Sequence, residues 1–385
     1  MNDITATTSQ SDSSVRAEWR PLAAWSAIVP QWRALAAQAL EPNVFYEPGF
    51  ALPAATVFGR SLGAVLVWSH ADRLLGFFPA RVERPCGLAV LTGWTHPYGP
   101  LGTPLVDRDE AAAVIAAWLG YVTDDGALPG LAMLPLLPED GPFAGALAAV
   151  LARRDMAAAS IGRHRRALLA PGDERAGYVE QAVGAKKRKE LRRQRHRLAD
   201  MGTLKIDAAT SPTGVVDALH DFLELEARGW KGRAGTAAAK NQSIHAFIEA
   251  AMADLAADGK VRIDRLRVGG NAIAAAVTLR SGDKAWTWKI AYDEEFARAS
   301  PGVQLMLEAT ESLLADRTIA SVDSCATADH PMIDHLWRER LALSDRLIAT
   351  GAEPPVFALA SGLERLRRMA IAGAKMLRDR IKPAQ

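Results

Sequence analysis

Residues 261–316 read VRIDRLRVGGNAIAAAVTLRSGDKAWTWKIAYDEEFARASPGVQLMLEATESLLAD, and this stretch decides the fold. Its first part contains three strand-like runs, at 261–268, 272–280 and 284–293. The runs are separated by the sequences GGN and SGD, both of which suit tight hairpin turns. We therefore predict an antiparallel meander of three strands.

The third run alternates with the period of two that is expected where one face of a strand meets a core. One predicted face carries large side chains: Trp286, Trp288, Ile290 and Tyr292. The other face carries mostly small ones: Ala285, Thr287, Lys289 and Ala291. That second face leaves room for a ligand.

A helix is predicted to begin at Pro301, because Ser300 is a favourable N-cap residue and proline suits the first helical position. A helix N-terminus carries unpaired N–H groups and a partial positive charge, and Gly302 lets a ligand approach the backbone closely. This helix start is a candidate phosphate site. Ser-Pro-Gly also begins many helices that bind nothing.

The order of three strands, a helix and a further strand near residues 319–325 resembles the core of the GNAT acyltransferase superfamily. A basic segment at 186–197 and the tripeptide Trp230-Lys231-Gly232 precede it. With the spacing from Tyr292 to Ser300, these features are similar to the CelD-type, cellulose-biosynthesis-associated branch with a FemAB-like fold. The likeness covers roughly residues 180–345.

This resemblance implies acetyl-CoA as a co-substrate and no metal. It places the diphosphate on the helix N-terminus and the pantetheine arm along the superfamily's fourth strand, with donors among the backbone N–H groups around Lys289 to Ala291. The implied cofactor-binding residues are Lys289, Ile290, Ala291, Arg298, Ser300, Gly302, Val303 and Gln304. Residues 298–303 contain one residue more than the superfamily's usual phosphate-binding signature.

Composition bounds the class of protein. With 385 residues, 49% of them hydrophobic, the chain can bury a sizeable core and form two domains. The first residues show no secretion signal, and the longest uncharged apolar run, near 143–152, is too short to span a bilayer. Two cysteines give no disulfide framework or zinc spacing. We therefore expect a cytoplasmic protein, peripheral at most at the inner face of the membrane.

The net charge of +2 is unevenly distributed. Residues 186–197 contain eight lysines and arginines against Glu190, and residues 356–385 contain seven against two acids. Both segments are predicted helices, and the second is amphipathic. A solvated helix is one interpretation of the first segment. The other is an anionic partner: the CoA 3′-phosphate, a polysaccharide, a lipid surface or tRNA. The second segment is expected either to lie on an anionic membrane surface or to dock on its own protein. The absence of aromatic residues between the cations of the first segment argues against nucleic acid.

Element order indicates a degenerate tandem repeat. Two helices, three strands, a helix and a strand occur in each half. The predicted fold is therefore α/β (α+β): a tandem GNAT-like, FemAB-like arrangement of two mixed central sheets flanked by helices. The predicted parts are a disordered segment 1–15, an N-terminal half 16–175, a basic linking helix 176–201, an acetyltransferase domain 202–350 and a basic amphipathic helix 351–385.

Acyl transfer to an amine needs a base, donors for the thioester oxygen and an acid for the leaving thiolate. The candidate catalytic residues are Asp293, Glu226, Tyr292, His330 and Asp334. Each also has an ordinary interpretation, since carboxylates are usually solvated and Tyr292 falls on the predicted core face. The histidines and aspartates near 323–335 lack a third ligand at a metal-binding spacing.

The loop after Glu226 is the candidate acceptor-binding segment. Trp230, Lys231 and Arg233 combine an aromatic ring with two cations, and such a loop can hold a phosphate or a sugar. A capped helix followed by a solvated loop explains the same residues.

These observations predict an acyltransferase that transfers an acetyl group directly to an amine or hydroxyl of a small-molecule, glycan or lipid-linked acceptor. The CelD-type resemblance implies a role in cell-envelope or exopolysaccharide metabolism. Two alternatives stay open: an aminoacyl-tRNA-dependent transferase of the FemAB kind, and a non-catalytic adaptor in envelope assembly.

Overall fold

The computed structural model describes residues 15–229 and 238–381. All but the last residue of the predicted disordered segment lies outside this range. The described strands form a single mixed sheet of thirteen strands, flanked by helices. The predicted α/β fold class is confirmed, and the two predicted sheets are joined edge to edge.

The first half follows the predicted order, with one added strand at its beginning and a second, of two residues, before its third helix. Its strands are β1 (Arg16–Pro21), β2 (Gly63–Trp68), β3 (Leu74–Glu83), β4 (Val90–Gly93), β5 (Leu105–Val106), β6 (Leu131–Pro138) and β7 (Ala158–Leu169). Its helices are α1 (Val29–Ala37), α2 (Pro48–Phe58), α3 (Ala111–Asp124) and α4 (Pro142–Arg153). Sequence analysis missed β1, which pairs antiparallel with β2.

The link between the halves is two helices, α5 (Tyr178–Ala182) and α6 (Ala185–Asp200), rather than the one that was predicted. The break falls at Gly184, which takes an extended conformation before α6. Leu191 and Leu198 are buried, and most of the cations of α6 are exposed.

The second half repeats the arrangement. Its strands are β8 (Leu204–Ala209), β9 (Val261–Val268), β10 (Asn271–Ser281), β11 (Lys284–Tyr292), β12 (Ser321–Asp323) and β13 (Glu339–Ala349). Its helices are α7 (Pro212–Arg228), α8 (Gln242–Ala257), α9 (Pro301–Ala315) and α10 (Pro354–Ile381). The predicted meander and the helix beginning at Pro301 are confirmed. None of the described helices is both long and apolar enough to cross a membrane.

The halves exchange their last strands. The strand order is β1-β2-β3-β4-β6-β13-β7-β12-β11-β10-β9-β8, so β13 pairs with β6 of the first half and β7 pairs with β12 of the second. Strands β13 and β7 also pair with each other over most of their length. Each half therefore completes its sheet with a strand from the other.

A buried ion pair crosses this junction. Arg166 on β7 pairs with Asp323 on β12, and their side chains are 3% and 6% exposed. Arg166 also donates to the Pro100 carbonyl at 3.0 Å, and the Asp323 carboxylate accepts from the Cys325 N–H at 2.9 Å. Because both charges are withdrawn from water, each depends on the other for compensation.

Aromatic rings form a second connection between the halves. Phe45 and Phe50 of the first half contact Trp286 and Trp288 of the second, with centroids 5.9 and 5.7 Å apart. Edge-to-face contacts of this kind add to the burial of apolar area. The two halves therefore share one hydrophobic core.

His96 lies within this aromatic core. Its ring stacks on Phe58 at 4.6 Å and lies 4.9 Å from Trp94, while Nδ1 accepts from the Tyr98 N–H at 3.3 Å. Burial, and secondarily the charge of Arg81, lowers the pKa of His96 to about 3. The ring is therefore neutral at physiological pH and must acquire a proton when the acidified protein unfolds.

Asp323→Ala should lower the free energy of unfolding by about 3–5 kcal/mol, because it leaves Arg166 charged and unpaired in the interior. Urea denaturation measures the change. The control is Asp72→Asn, which removes the charge of an exposed pair with Arg16, suits the left-handed φ of 56° and should cost less than about 1 kcal/mol. Equal effects of the two variants would contradict a structural role for the buried pair.

His96→Phe should make the free energy of unfolding less dependent on pH in the acidic range. Between pH 6.5 and 3, His96 binds a proton in the unfolded chain but not in the native protein. As the pH is lowered through this range, the free energy of unfolding of the wild type therefore decreases, by at most about 1.4 kcal/mol per pH unit from this group. Urea unfolding from pH 7 to pH 4.5 should show a shallower decline in the variant. His70→Phe, in an exposed turn, should retain the wild-type slope.

Candidate functional site

A cavity opens where β11 and β12 separate. The strands pair in parallel only from Lys284↔Ser321 to Trp286↔Asp323. The chain then turns away at Cys325, which has a positive φ of 52°. Within the described chain, residues 287–292 of β11 pair with β10 alone. The resulting space has a volume of about 560 Å³ and lies between β11, the start of α9 and the segment after β12.

A β-bulge shapes the β11 wall. Lys289 pairs with Val277 and Thr287 pairs with Thr278, so Trp288 is an extra residue on its strand. The Trp288 indole donates to the Tyr98 carbonyl at 2.7 Å, and the Lys289 ammonium lies 4.1 Å from the centre of the Tyr98 ring. The bulge therefore brings both side chains against a loop of the first half.

The same bulge makes the predicted alternation wrong beyond Trp288. Trp286 and Trp288 pack in the core shared by the two halves, as expected. Ile290 and Tyr292 lie on the opposite face, next to Gly302. Tyr292 is 38% exposed rather than buried. One inserted residue reverses the face of every later side chain on a strand.

The start of α9 has the geometry of an anion site. Pro301 has no N–H group, and the first helical hydrogen bond runs from Gln304 N to the Ser300 carbonyl at 3.0 Å. The amides of Gly302 and Val303 have no hydrogen-bond partner within the described residues, and both residues line the cavity. Ser300 adopts a left-handed conformation and its side chain makes no cap, so the expected serine cap is wrong.

The other predicted cofactor-binding residues do not all line the cavity. Lys289 and Ile290 line the cavity, whereas Ala291 lines a small neighbouring crevice. The buried Gln304 side chain donates to the Leu191 carbonyl at 2.7 Å and so holds α6 against α9. Arg298 is exposed at the end of a 3₁₀ turn, Glu294–Ala299, just before α9.

Among the candidate catalytic residues, His330 lines the cavity. Its Nδ1 accepts from the N–H groups of Met332 and Ile333 at 3.3 and 3.4 Å. A neutral ring that accepts through Nδ1 carries its proton on Nε2. In this tautomer His330 is suited to donating a hydrogen bond through Nε2, rather than to acting as an acid or a base.

Glu226 occupies the crevice beside the cavity. It is 4% exposed, accepts from the Ala238 N–H at 2.9 Å and shares the crevice with Ala291 and Tyr292. Burial, with a smaller contribution from the charge of Glu226, raises the pKa of Tyr98 to about 12. A carboxylate and a protonated phenol therefore lie near one another where the two halves meet.

Two further candidates do not line the cavity. The Asp293 carboxylate accepts from the Glu295 N–H at 2.9 Å and caps the 3₁₀ turn before α9. Asp334 follows the cavity segment, and its Oδ1 is buried without a hydrogen-bond partner in the described chain. Trp230, Lys231 and Arg233 lie outside the described residues.

Sequence analysis missed Tyr98 and Cys325. Tyr98 lies in a loop that is rich in proline and glycine. This composition predicted irregular structure, and it was the only sequence feature that could have drawn attention to Tyr98. Burial, and next the charge of Asp323, raises the pKa of the Cys325 thiol, which is therefore protonated at the cavity wall. In the described residues, no group of three His, Cys, Asp or Glu side chains could hold a metal ion.

Comparisons with known proteins identify the fold. A family profile described as an acetyltransferase (GNAT) domain matches residues 185–330. This segment contains the meander, the start of α9 and the segment after β12. No curated protein matches the sequence.

Three solved structures are similar over most of the chain. FemX aligns with a TM-score of 0.56 at 9% identity, covering 86% of this chain and 98% of its own. The second is the C-terminal DUF2156 domain of a protein named as a lysylphosphatidylglycerol synthetase, from Agrobacterium fabrum. It aligns with a TM-score of 0.54 at 12% identity, covering 90% of this chain and 96% of its own. A protein of unknown function from Bacteroides thetaiotaomicron aligns with a TM-score of 0.51 at 10% identity, covering 87% of this chain and 99% of its own. At these identities the likeness establishes the fold: the chain has a tandem, GNAT acyltransferase-like architecture.

Proposed function

We propose that this protein is an acyl-CoA-dependent N-acyltransferase that transfers an acyl group, most simply acetyl, directly to an amine or hydroxyl acceptor. The observation that carries the proposal is the cavity between β11 and β12, which ends at the unpaired amides of Gly302 and Val303. An extended, amide-containing arm with a diphosphate at one end fits such a cavity.

The residues present fit the two ends of acyl-CoA. The N-terminus of α9 offers two N–H groups and a partial positive charge to the diphosphate, with Arg298 exposed nearby. A Cβ on Gly302 would lie 3.3 Å from the Tyr292 ring, so glycine keeps this end narrow but open. The edge of β11 offers backbone groups to the amides of the pantetheine arm.

The thioester belongs at the bulged part of β11, away from the diphosphate. There the backbone around Trp288 and Lys289 supplies donors for the acyl oxygen as charge develops on it. Tyr292 lies at the diphosphate end, beside Gly302, so it is a poor choice for the acid. His330, with its proton on Nε2, can donate a hydrogen bond to the sulfur, which leaves as a thiolate.

Glu226 is the candidate base, because its charge acts on Tyr98, whose ring and carbonyl contact Lys289 and Trp288 at the bulge of β11. The amine nitrogen forms a bond to the acyl carbon, the carbon–sulfur bond breaks, and Glu226 takes the proton that the amine loses. The alternatives are less suitable, because Asp293 caps a turn and His330 accepts through Nδ1. Transfer is direct, so no protein nucleophile is needed.

An aminoacyl-tRNA-dependent reaction is the second candidate. The exposed cations of α6 favour it, since Arg195 pairs with Glu308 and Gln304 holds Leu191, which keeps this basic helix beside α9. Radiolabelled aminoacyl transfer from tRNA, with no binding of acetyl-CoA, would select this reaction. The CelD-type resemblance supports an acceptor in cell-envelope or exopolysaccharide metabolism, used on the cytoplasmic side of the membrane.

Acetyl-CoA should bind with a dissociation constant in the micromolar range, about −8 kcal/mol, by calorimetry. Gly302→Glu should weaken binding at least about 30-fold, or about 2 kcal/mol, because it places a carboxylate where the diphosphate binds. The matched control is Gly145→Glu in α4, where a Cβ meets nothing within 4 Å. Thermal unfolding checks that both variants fold.

If the folded Gly302→Glu variant bound acetyl-CoA with unchanged affinity, the diphosphate would not bind at the start of α9. An absence of binding by the wild-type protein would favour the non-catalytic adaptor or the tRNA-dependent enzyme.

Glu226→Gln should lower kcat/KM for acyl transfer by about 10²–10⁴-fold and leave acetyl-CoA binding unchanged, because it removes the proton acceptor and preserves shape. Release of the CoA thiol with a panel of primary amines measures the rate. Glu224→Gln is the control: it lies on the same helix, is 47% exposed and pairs with Arg228. Equal rates for the two variants would exclude Glu226 as the base.

A further inference from the structure

Helix α10 carries an unusual concentration of exposed apolar side chains. Of the nine large hydrophobic residues exposed in the described part of the chain, five are on this helix: Val356, Leu359, Leu366, Met369 and Ile371. Leu359, Leu366 and Met369 are 55%, 62% and 70% exposed. Their spacing of seven and three residues places them on one side of the helix, and we call these three residues the outer stripe.

The opposite side of α10 is fixed to the protein. Phe357 and Ala360 pack against Ile161 of β7 and Leu347 of β13. Arg368 pairs with Asp345 of β13 and, at 2.7 Å, with Glu364, which is 6% exposed. These contacts set the rotation of the helix, so the outer stripe faces away from the sheet.

Cations flank the outer stripe. At 100° per residue, Arg365 falls on one side of it and Arg367 on the other. Both are exposed, and the Arg367 side chain is 43% accessible although it pairs with Glu364. Residues 356–385 carry seven lysines and arginines against two acids, a net charge of +5. An apolar stripe between cations matches a surface with anionic groups above an apolar layer.

We infer that α10 docks this protein on an anionic lipid surface, lying in the interface with the outer stripe inserted among the acyl chains. Charge complementarity favours lipid over a second copy of the chain, because two stripes packed together would bring segments of net charge +5 against each other. The helix is already ordered on the sheet, so docking needs no refolding. This inference is independent of the acyltransferase proposal.

Co-sedimentation of the full chain with vesicles tests the inference. The protein should sediment with vesicles of phosphatidylglycerol and phosphatidylcholine, and not with phosphatidylcholine alone, and added salt should weaken binding. The double variant Leu366→Glu/Met369→Glu should lower the partition coefficient at least about tenfold, because two apolar side chains no longer enter the lipid. Arg365→Glu should lower it roughly fivefold.

The matched control is Val216→Glu on α7, which is also 62% exposed and lies outside the outer stripe; its partition should equal that of wild type. Equal partition of wild type and the double variant would overturn the inference. The inference would also be overturned if the wild-type protein did not bind vesicles but formed a concentration-dependent dimer that Leu366→Glu dissociates. Acetyl-CoA calorimetry on the double variant separates this result from failure of the proposed function, since α9 is unaltered.

Discussion

The candidate site depends on the short strand β12, which has different neighbours along its two edges. On one edge its three residues pair in parallel with β11, and on the other Val322 and Asp323 pair with β7 of the first half. Because β7 and the Arg166 ion pair hold β12 in place, β11 can diverge from it without the sheet closing the gap. The first half therefore supports the cavity through β7, although the residues that line the cavity all belong to the second half.

The first half contains a counterpart of this cleft with different chemistry. Strands β4 and β6 also pair in parallel and bound a cavity of about 410 Å³. Helix α10 lines it, and arginines and carboxylates there pair with one another. The equivalent helix, α3, begins after Glu110, whose carboxylate disfavours phosphate. The helix start of the second half therefore has the geometry of an anion site, and that of the first half does not.

Tyr98 shows why the halves are inseparable at the site. It comes from a first-half loop, yet its carbonyl accepts from Trp288 and its ring lies against Lys289. His96, in the same loop, is neutral and partly buried; it accepts from the Tyr98 N–H and packs against Phe58 and Trp94. The aromatic core thus positions the loop, and the loop in turn contacts Trp288 and Lys289 at the bulge of β11.

Local sequence determined the meander and the start of α9 to within a residue or two, since turns, proline and periodicity act over short distances. The backbone amides at Gly302 were predictable for the same reason. Only the tertiary structure decided the strand exchange, the bulge at Trp288 and the nearness of Tyr98 to Glu226. These features depend on pairing between residues far apart in the chain, and a run such as residues 339–349 carries no local signal of which strands it will separate.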